Sequence, residues 1–292
     1  MDAVIYYFSG TGNSLAVARE LAARLKADLR TMKSAMDGVS LRFPRGASLG
    51  IVFPVYNHRI PYIVKRFAAR LRGVEAGYIF AVCTYGDSPC IALEYLSGLL
   101  AAKGLRLDAG FGVKMPYNYL NPRNGLAGLF KPFALRTVTY TEQNRILAEA
   151  ASKTEKICEL IRARAKDTIE VEHGRLEHAI DSLNLRETLQ KRVWLKIGGY
   201  RGKTDLTYLE SIQLMDHAFS CDEHCTRCGT CAKVCPVGNI ALTEGGPVWR
   251  HHCEQCFACL QWCPASALQF GSGTTGCPRY HHPDVSLSDM LL

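Results

Sequence analysis

The sequence predicts an α/β fold, a doubly wound parallel sheet, followed by a small α+β domain organised around cysteine. Two observations support this. In the first half of the chain, short apolar runs alternate with helical patterns, which is typical of βαβ units with right-handed crossovers. Further along the chain, eight of the 13 cysteines lie between residues 225 and 263, in a motif that occurs twice. At 292 residues, the chain has room for both parts.

Composition excludes several classes of protein. With 48% hydrophobic and 21% charged residues, the chain is typical of a soluble globular protein. No apolar run approaches about 18 residues, so we expect no membrane span. The start, with Asp2 and an apolar run that breaks at Ser9, does not fit a signal peptide. The 13 cysteines, eight of them in the repeated motif, imply a reducing compartment, and we expect a cytoplasmic protein. The net charge of +8 is weak evidence for nucleic-acid binding, and we expect none.

The first element is an apolar run at residues 3–8, as in a strand buried on both faces. The turn Ser9–Ser14 follows, and then a helix with Leu15 and Leu25 on its apolar face. A strand, a turn of glycine and hydroxyl residues, and a helix N-terminus together form a phosphate site. A plain tight turn is the alternative.

The residues missing from this turn indicate which cofactor's phosphate it would bind. It has no lysine after its second glycine, so it is not a Walker A loop. Leu15 stands where the dinucleotide-binding fingerprint has its third glycine. Since the loop has no cation and binds through hydroxyl and amide groups, it suits the phosphate of FMN.

The sheet continues with a faint strand near Leu29 and with clearer strands and helices after it. Strands are predicted at Leu49–Phe53, Tyr78–Cys83 and Leu105–Met115, and helices at Pro61–Leu71 and Pro89–Ala102. In a sheet of order 2-1-3-4-5, ligands bind beside the carboxyl ends of the strands. We therefore expect three loops to converge on a flavin: Ser9–Ser14, Pro54–Pro61 and Thr84–Ser88.

Residues in these loops suit a flavin. Tyr56 and Tyr85 could stack on the ring system, and His58 and Arg59 could supply a cation near it. The alternative for all four is an ordinary loop residue.

Residues 116–140 are rich in turn-forming and aromatic residues, which indicates irregular backbone. The segment either packs against the rest of the protein or caps the flavin. Asn118 and Tyr119 are its residues expected to reach the flavin.

Two helical regions follow. Thr141–Ile169 is predicted as one long helix that closes the sheet, and Leu185–Met215 as further helix, broken at Gly198, Gly199 and Gly202. Between residues 186 and 203 the charge is strongly basic. This run is either a solvated face or a docking surface for an acidic partner, whose binding would depend on salt.

The motif C-x2-C-x2-C-x3-C-P occurs twice between Cys225 and Pro264. This is the spacing of bacterial ferredoxins with two [4Fe–4S] clusters, in which the fourth cysteine ligates the other cluster. A zinc site closes with four ligands and does not need the third cysteine, and a disulfide framework needs an oxidising compartment. We assign one cluster to Cys225, Cys228, Cys231 and Cys263. We assign the second to Cys253, Cys256, Cys259 and Cys235.

Around these ligands, a β-hairpin is predicted from Ile240–Leu242 and Val248–Arg250, which flank Gly245-Gly246. Cys221 and Cys277 are interpreted as spare thiols, and Cys83, Cys90 and Cys158 as small core residues. His281 and His282 are interpreted as packing residues between domains, with metal ligation as the alternative.

A family resemblance covers nearly the whole chain. The segments YYFSGTGNS at 6–14, PVY at 54–56, TYG at 84–86 and MPYNY at 115–119 resemble the flavodoxin half of the fused flavodoxin–ferredoxin proteins. RYHHP at 279–283 is similar to their C-terminus. The resemblance implies a flavodoxin-like domain that binds FMN and a ferredoxin domain with two [4Fe–4S] clusters. By residue match, it implies a phosphate site of Ser9, Thr11, Gly12, Asn13 and Ser14.

These inferences combine into one set of predictions. The domains are 1–170 (flavodoxin-like, FMN-binding), 171–217 (helical connector), 218–272 (ferredoxin) and 273–292 (C-terminal tail). Further flavin contacts are predicted at Pro54, Val55, Tyr56, Asn57, Thr84, Tyr85, Gly86, Asp87, Asn118 and Tyr119.

The predicted function is electron transfer between FMN and the two clusters, to or from a redox partner protein, in an anaerobic host. No side chain is assigned a catalytic role. One alternative is an FMN-dependent reductase of a small organic substrate, and another is a redox sensor. No nicotinamide motif is present, so direct use of NAD(P)H is not expected.

Overall fold

The computed structural model describes residues 2–37, 43–56, 59–71, 74–116, 139–171, 191–192, 195–196, 200–203, 205–271 and 274–291. They form two compact units, one with the described residues of 2–171 and the other with those from 191 onward. No helix in the described ranges is long and apolar enough to cross a membrane.

The first unit is built on a six-stranded parallel sheet of order β2-β1-β3-β4-β5-β6. This order contains the predicted 2-1-3-4-5 arrangement, which is therefore confirmed, and adds a short sixth strand. The strands are β1 (Ala3–Tyr7), β2 (Asp28–Thr31), β3 (Ser48–Pro54), β4 (Tyr78–Tyr85), β5 (Ala109–Lys114) and β6 (Thr168–Ile169).

Five described helices accompany the sheet: α1 (Asn13–Leu25), α2 (Met32–Asp37), α3 (Tyr62–Arg70), α4 (Ala92–Ala101) and α5 (Tyr140–Arg162). Helix α1 packs against α5, and α3 packs against both α2 and α4. Helix α4 begins three residues later than predicted, because Cys90 has a left-handed backbone (φ 47°) that does not continue a helix.

The core explains why the strands lack polar alternation. Ile5, Val52, Phe80 and Phe111 on the strands are fully buried and share one apolar cluster with residues of α1 and α5. A strand covered on both faces reads as a continuous apolar run, and so the runs predicted parallel strands. At the sheet centre, a Cβ on Gly50 would lie 2.5 Å from the Phe80 ring, so only glycine fits there.

Helix α5 corrects one prediction. The predicted helix Thr141–Ile169 ends at Arg162, and Thr168–Ile169 instead form β6, which pairs with Ala109–Gly110 of β5. Arg164 and Asp167 adopt left-handed backbone conformations (φ 51° and 58°), and these turn the chain back toward the sheet. Because residues 163–166 are good helix formers, propensity carries no signal for this end.

The second unit consists of short elements. They are α6 (Tyr208–Gln213), a 3₁₀ helix (Leu214–Ala218), β7 (Phe219–Cys221), α7 (Thr230–Lys233), β8 (Ile240–Thr243), β9 (Gly246–Trp249), α8 (Ala258–Gln261), β10 (Leu268–Phe270) and α9 (Leu287–Met290). Strands β8 and β9 form the predicted antiparallel hairpin, and β7 pairs antiparallel with β10. Residues 191–192 and 195–196 are helical, in the region predicted as helix.

Aromatic rings fill the centre of the second unit. Phe219 stacks on Trp249 at a centroid distance of 5.5 Å and meets Phe270 edge-on at 4.9 Å. Phe257 meets Phe270 edge-on at 5.1 Å. These rings share one apolar cluster with cysteines of both halves of the repeated motif, so apolar side chains surround the sulfur atoms.

Candidate functional site

The turn after β1 has a backbone that only glycine adopts easily. Gly12 has φ 93° and is the N-cap of α1. Its amide donates to the Ser9 hydroxyl at 3.1 Å, and its carbonyl accepts from the Ala16 amide at 2.8 Å. No side chain caps α1, and its first turn contains no acidic residue. The helix N-terminus is therefore suited to an anion.

The turn is also tied to the neighbouring strand ends. Ser14 and Thr84 share a hydrogen bond between their hydroxyl oxygens at 2.8 Å, although they lie 70 residues apart. The Asn13 side-chain amide donates to the Pro116 carbonyl at 3.2 Å, and the Val55 amide donates to the Thr84 carbonyl at 2.8 Å. The structure thus brings together the carboxyl ends of β1, β3, β4 and β5.

The predicted phosphate residues are largely buried, with exposed fractions of 7% or less at Ser9, Thr11, Asn13 and Ser14. Thr84 is also buried, whereas Pro54, Val55, Tyr85 and Gly86 are half-buried and Asp87 is exposed. The donor set of hydroxyl and amide groups fits a phosphate monoester, and the half-buried loop residues beside it leave polar and apolar surface for a ring system.

The aromatic residues have definite neighbours. Tyr56 meets Phe8 edge-on at 6.0 Å and pairs with Arg59 through two backbone hydrogen bonds of 3.0 Å. The Arg59 guanidinium lies over the Tyr95 ring at 5.4 Å. Close to Tyr85, a Cβ on Gly112 would lie 2.8 Å from the tyrosine ring, so this glycine sets the position of Tyr85. The predicted contacts Asn57, His58, Asn118 and Tyr119 lie outside the described residues, as do residues 117–138.

A small cavity, partly open to solvent, lies in the second unit. Its lining contains the four cysteines that were assigned together to one cluster: Cys235, Cys253, Cys256 and Cys259. Cys235 comes from the first copy of the motif and the other three from the second. Phe219, Trp249 and Phe257 complete an apolar wall.

The other four cysteines are also neighbours. Burial, and after it the charges of Cys263, Cys228 and Cys225, raise the pKa of Cys231 to about 11. The neighbours of Cys231 are thus the other members of its assigned set, including Cys263 from the second copy. No three cysteine sulfurs of the described residues lie within 4.8 Å of one another.

The two copies of the motif share their backbone conformation. Arg227 and Gln255, each placed before the second cysteine, have φ 56° and 51°. Gly229 and Phe257, each placed after it, have φ 74° and 57°. A left-handed backbone costs about 1–2 kcal/mol in a residue other than glycine, and such strain is concentrated at functional sites.

Amide groups point toward sulfur in these loops. The Asn239 amide donates to the Cys235 sulfur at 3.2 Å, and the Gln255 amide donates to the Cys253 sulfur at 3.2 Å. Burial raises the pKa of both thiols in the absence of a metal. Hydrogen bonds from Thr230 lower the pKa of Cys228, the exposed member of the eight.

The remaining cysteines have different surroundings. Cys83, Cys90 and Cys158 are buried, which confirms them as small core residues. Cys221 has a pKa raised by burial and then by the neighbouring Cys225 thiol, and Cys277 packs against the apolar cluster of the second unit.

The tail histidines contact their own unit. His281 stacks on Trp262 at 4.3 Å, and the His282 ring nitrogen accepts from the Asp284 amide at 3.2 Å. Burial lowers the pKa of His282. Their predicted role between domains remains a prediction.

The sequence did not indicate a buried carboxylate network. Asp216 is 1% exposed and accepts from the Asn239 side chain at 2.8 Å and from the His251 amide at 3.0 Å. The His251 ring nitrogen lies 2.7 Å from its other oxygen, and His217 stacks on His251 at 4.0 Å. Since 35 residues separate Asp216 from His251, no local motif indicates this contact.

Parts of the chain are similar to known proteins. Residues 224–268 match the family model described as a 4Fe-4S dicluster domain, and no curated protein matches the chain. Among solved structures, rubredoxin oxygen:oxidoreductase from the anaerobe Desulfovibrio gigas is similar at 17% identity (TM-score 0.34), over 56% of this chain and 36% of that one.

Two flavodoxins are similar at the same level. A flavodoxin from the domain Archaea is 14% identical (TM-score 0.33), over 54% of this chain and 99% of that one. Megasphaera elsdenii flavodoxin is 16% identical (TM-score 0.28), over 52% of this chain and 98% of that one. The strand order itself identifies a flavodoxin-like sheet. The chain thus joins a flavodoxin-like unit to an iron–sulfur domain, as the sequence predicts, and this combination indicates redox electron transfer.

Proposed function

We propose that the protein is an electron-transfer iron–sulfur flavoprotein that passes electrons between FMN and two [4Fe–4S] clusters, to or from a redox partner protein. The cavity lined by Cys235, Cys253, Cys256 and Cys259 is the observation that carries the proposal. It unites one cysteine of the first motif with three of the second, which is the ligand exchange of two-cluster ferredoxins.

The first unit would hold FMN at the carboxyl ends of its parallel strands. The turn Ser9–Ser14 would bind the phosphate through hydroxyl groups, backbone amides and the N-terminus of α1. The Ser14–Thr84 hydrogen bond would keep two of the loops in register before the cofactor arrives. Such preorganisation lowers the entropic cost of binding.

The second unit would hold the clusters in apolar surroundings. When bound, FMN would hold up to two electrons and exchange them singly or as a pair, and each cluster would exchange one. The chain contributes the cysteine ligands, the amide donors to sulfur, and the aromatic wall that excludes water. Hydrogen bonds, charge and solvent exposure around a cluster set its reduction potential.

Cofactor content is the first test. We expect the protein, purified and reconstituted under anaerobic conditions, to contain about eight iron ions and about eight sulfides per chain, with one FMN. Reductive titration with dithionite should take up about four electrons. Iron near half of this value would contradict the second cluster, and stoichiometric zinc would contradict the proposal.

A second test asks whether electrons move within one chain. The oxidised holoprotein is rapidly mixed with less dithionite than it can consume, and flavin and cluster absorbance are followed separately. We expect redistribution at a rate that stays constant over a tenfold range of protein concentration. A rate proportional to concentration would show transfer between molecules and would contradict a relay within the chain.

The electron donor separates the carrier from a reductase. Anaerobic addition of NADH or NADPH, with dithionite as the reducing control, should leave the spectrum of the carrier unchanged. Bleaching by either nucleotide would favour a self-sufficient FMN-dependent reductase of a small molecule.

A further inference from the structure

Arg279, in the second unit, has hydrogen-bond donors without an acceptor among the described residues. Nη2 of Arg279 donates to the Leu268 carbonyl at 2.8 Å, with longer contacts to the Ser266 carbonyl (3.2 Å) and the Gln269 side chain (3.4 Å). Nε and Nη1 are buried and have no partner among the described residues. A buried polar group without a partner costs about 1–3 kcal/mol, and more when it is charged, so these two donors need an explanation.

Cysteine thiols lie near the Arg279 guanidinium. Burial lowers the pKa of its guanidinium, and the charge of Cys263 is the largest influence that opposes this shift, followed by those of Cys277, Asp222 and Cys259. No carboxylate in the described part of the chain lies within 4.0 Å of the guanidinium. The charges that act most on the guanidinium are thus mainly those of cysteine thiols, with Cys263 first.

Two further contacts fix this part of the tail. The Tyr280 amide donates to the buried Gln261 side chain at 2.7 Å, and His281 stacks on Trp262 at 4.3 Å. Gln261 and Trp262 directly precede Cys263, and the Ser266 amide donates to the Cys263 carbonyl at 3.0 Å. Arg279 thus lies against the loop that begins at Cys263.

The second set of cysteines has the opposite electrostatic environment. The buried Asp216 carboxylate accepts from the Asn239 side chain at 2.8 Å, and the Asn239 amide donates to the Cys235 sulfur at 3.2 Å. A carboxylate on one side and a guanidinium on the other would separate the electron affinities of two otherwise similar clusters.

We propose that Arg279 makes the cluster held by Cys225, Cys228, Cys231 and Cys263 the more easily reduced of the two, through its fixed charge and its two buried N–H donors. This inference rests on the proposed function, since it requires both clusters. A cation and hydrogen bonds near the sulfurs stabilise the reduced, more negative cluster and raise its potential. The first electron taken up by the cluster pair would therefore reside beside Arg279.

The test is a redox titration of the holoprotein followed by electron paramagnetic resonance. Cys228→Ser shows which signal belongs to the cluster near Arg279, because Cys228 is one of its assigned ligands. In Arg279→Gln we expect the potential of that signal to fall while the other potential stays constant. Arg279→Lys, which keeps the charge but loses the planar donors, should fall by less.

One control variant and one further test variant complete the experiment. Arg227→Gln removes the same charge from an exposed position in the loop of the same cluster, and glutamine occurs at the equivalent position 255. Solvent should screen this charge, so we expect a much smaller shift than in Arg279→Gln. Asp222→Asn removes a negative charge near Arg279 and should raise the same potential.

The outcomes separate the two proposals. If iron analysis finds no clusters in the parent protein, the proposed function fails. If both clusters are present and Arg279→Gln leaves both potentials unchanged, or shifts both equally, the role of Arg279 is refuted. If Arg279→Gln does not retain its clusters, Asp222→Asn decides, and an unchanged potential in that variant also refutes the inference.

Discussion

Replacing Gly12 by alanine tests whether the turn after β1 is a phosphate site. Gly12 has φ 93° and connects the Ser9 hydroxyl to the first turn of α1. Alanine can occupy this position only with backbone strain, or after the turn has changed shape. Backbone strain would lower the free energy of unfolding, whereas a changed turn would weaken FMN binding, and both quantities can be measured.

The size of the effect follows from the backbone. A left-handed conformation costs an L-residue about 1–2 kcal/mol, which is a factor of about 5–30 in an equilibrium constant. If the turn keeps its shape, Gly12→Ala should lower the free energy of unfolding by this amount and leave FMN affinity unchanged. If the turn relaxes, FMN binding must restore the strain, and the dissociation constant should rise by up to the same factor.

Gly104 supplies a matched control. It also has a left-handed backbone (φ 74°), and no atom lies within 4 Å of the Cβ that alanine would add. Gly104→Ala should therefore lower stability by a similar amount without changing FMN affinity, because Gly104 is outside the loops at the carboxyl ends of the strands.

The assays are urea unfolding of the intact chain followed by circular dichroism, and FMN titration followed by quenching of flavin fluorescence. Parental stability together with parental affinity in Gly12→Ala would refute the reasoning from φ. An equal rise in the FMN dissociation constant in Gly104→Ala would show that the effect does not come from the phosphate turn.

Three further predictions concern the core and the cluster ligands. Burial, with a smaller effect of a nearby carboxylate, raises the pKa of Tyr78 to about 12 from 10.0. The neutral hydroxyl therefore stabilises the fold fully below pH 10, and this stabilisation is lost as the pH rises toward about 12. Tyr78→Phe should lower the free energy of unfolding by about 0.5–1.5 kcal/mol at pH 7. Between pH 10 and about 12 this difference from the parent should shrink, and a difference that stays constant in urea unfolding would contradict the prediction. Iron analysis should show that Cys228→Ala loses about half of the bound iron, whereas Cys221→Ala loses none. Equal losses in the two variants would show that Cys221 is also a ligand. Phe80→Ala should lower the free energy of unfolding by about 3–5 kcal/mol, because the ring is fully buried, whereas Tyr140→Ala, at an exposed position, should stay within about 0.5 kcal/mol.

Much of the fold was predictable because its signals are local. The apolar runs at β1, β3 and β4 indicate buried parallel strands, and Gly12 follows from the turn that the chain must make between β1 and α1. The spacing of the cysteines likewise fixes which residues lie on one side of a cluster. In each case, the residues that carry the signal are neighbours along the chain.

The prediction was wrong where a distant partner decides the conformation. Helix α5 ends at Arg162, although residues 163–166 are good helix formers, because the chain turns back there and Thr168–Ile169 pair with β5. Leu105–Met115 was likewise predicted too long, and β5 begins at Ala109, where pairing with β4 begins.

The sequence by itself determined the parallel sheet, the hydroxyl-rich turn at its edge and the eight cysteines with their spacing, because these depend on residues a few positions apart. The tertiary structure alone decided that Ser14 meets Thr84, that Asp216 meets His251, and that Arg279 lies against the Cys263 loop with two N–H groups unused. Such contacts join residues 11 to 70 positions apart. They exist because packing of the core brings those segments together, and no short-range pattern encodes which segments will meet.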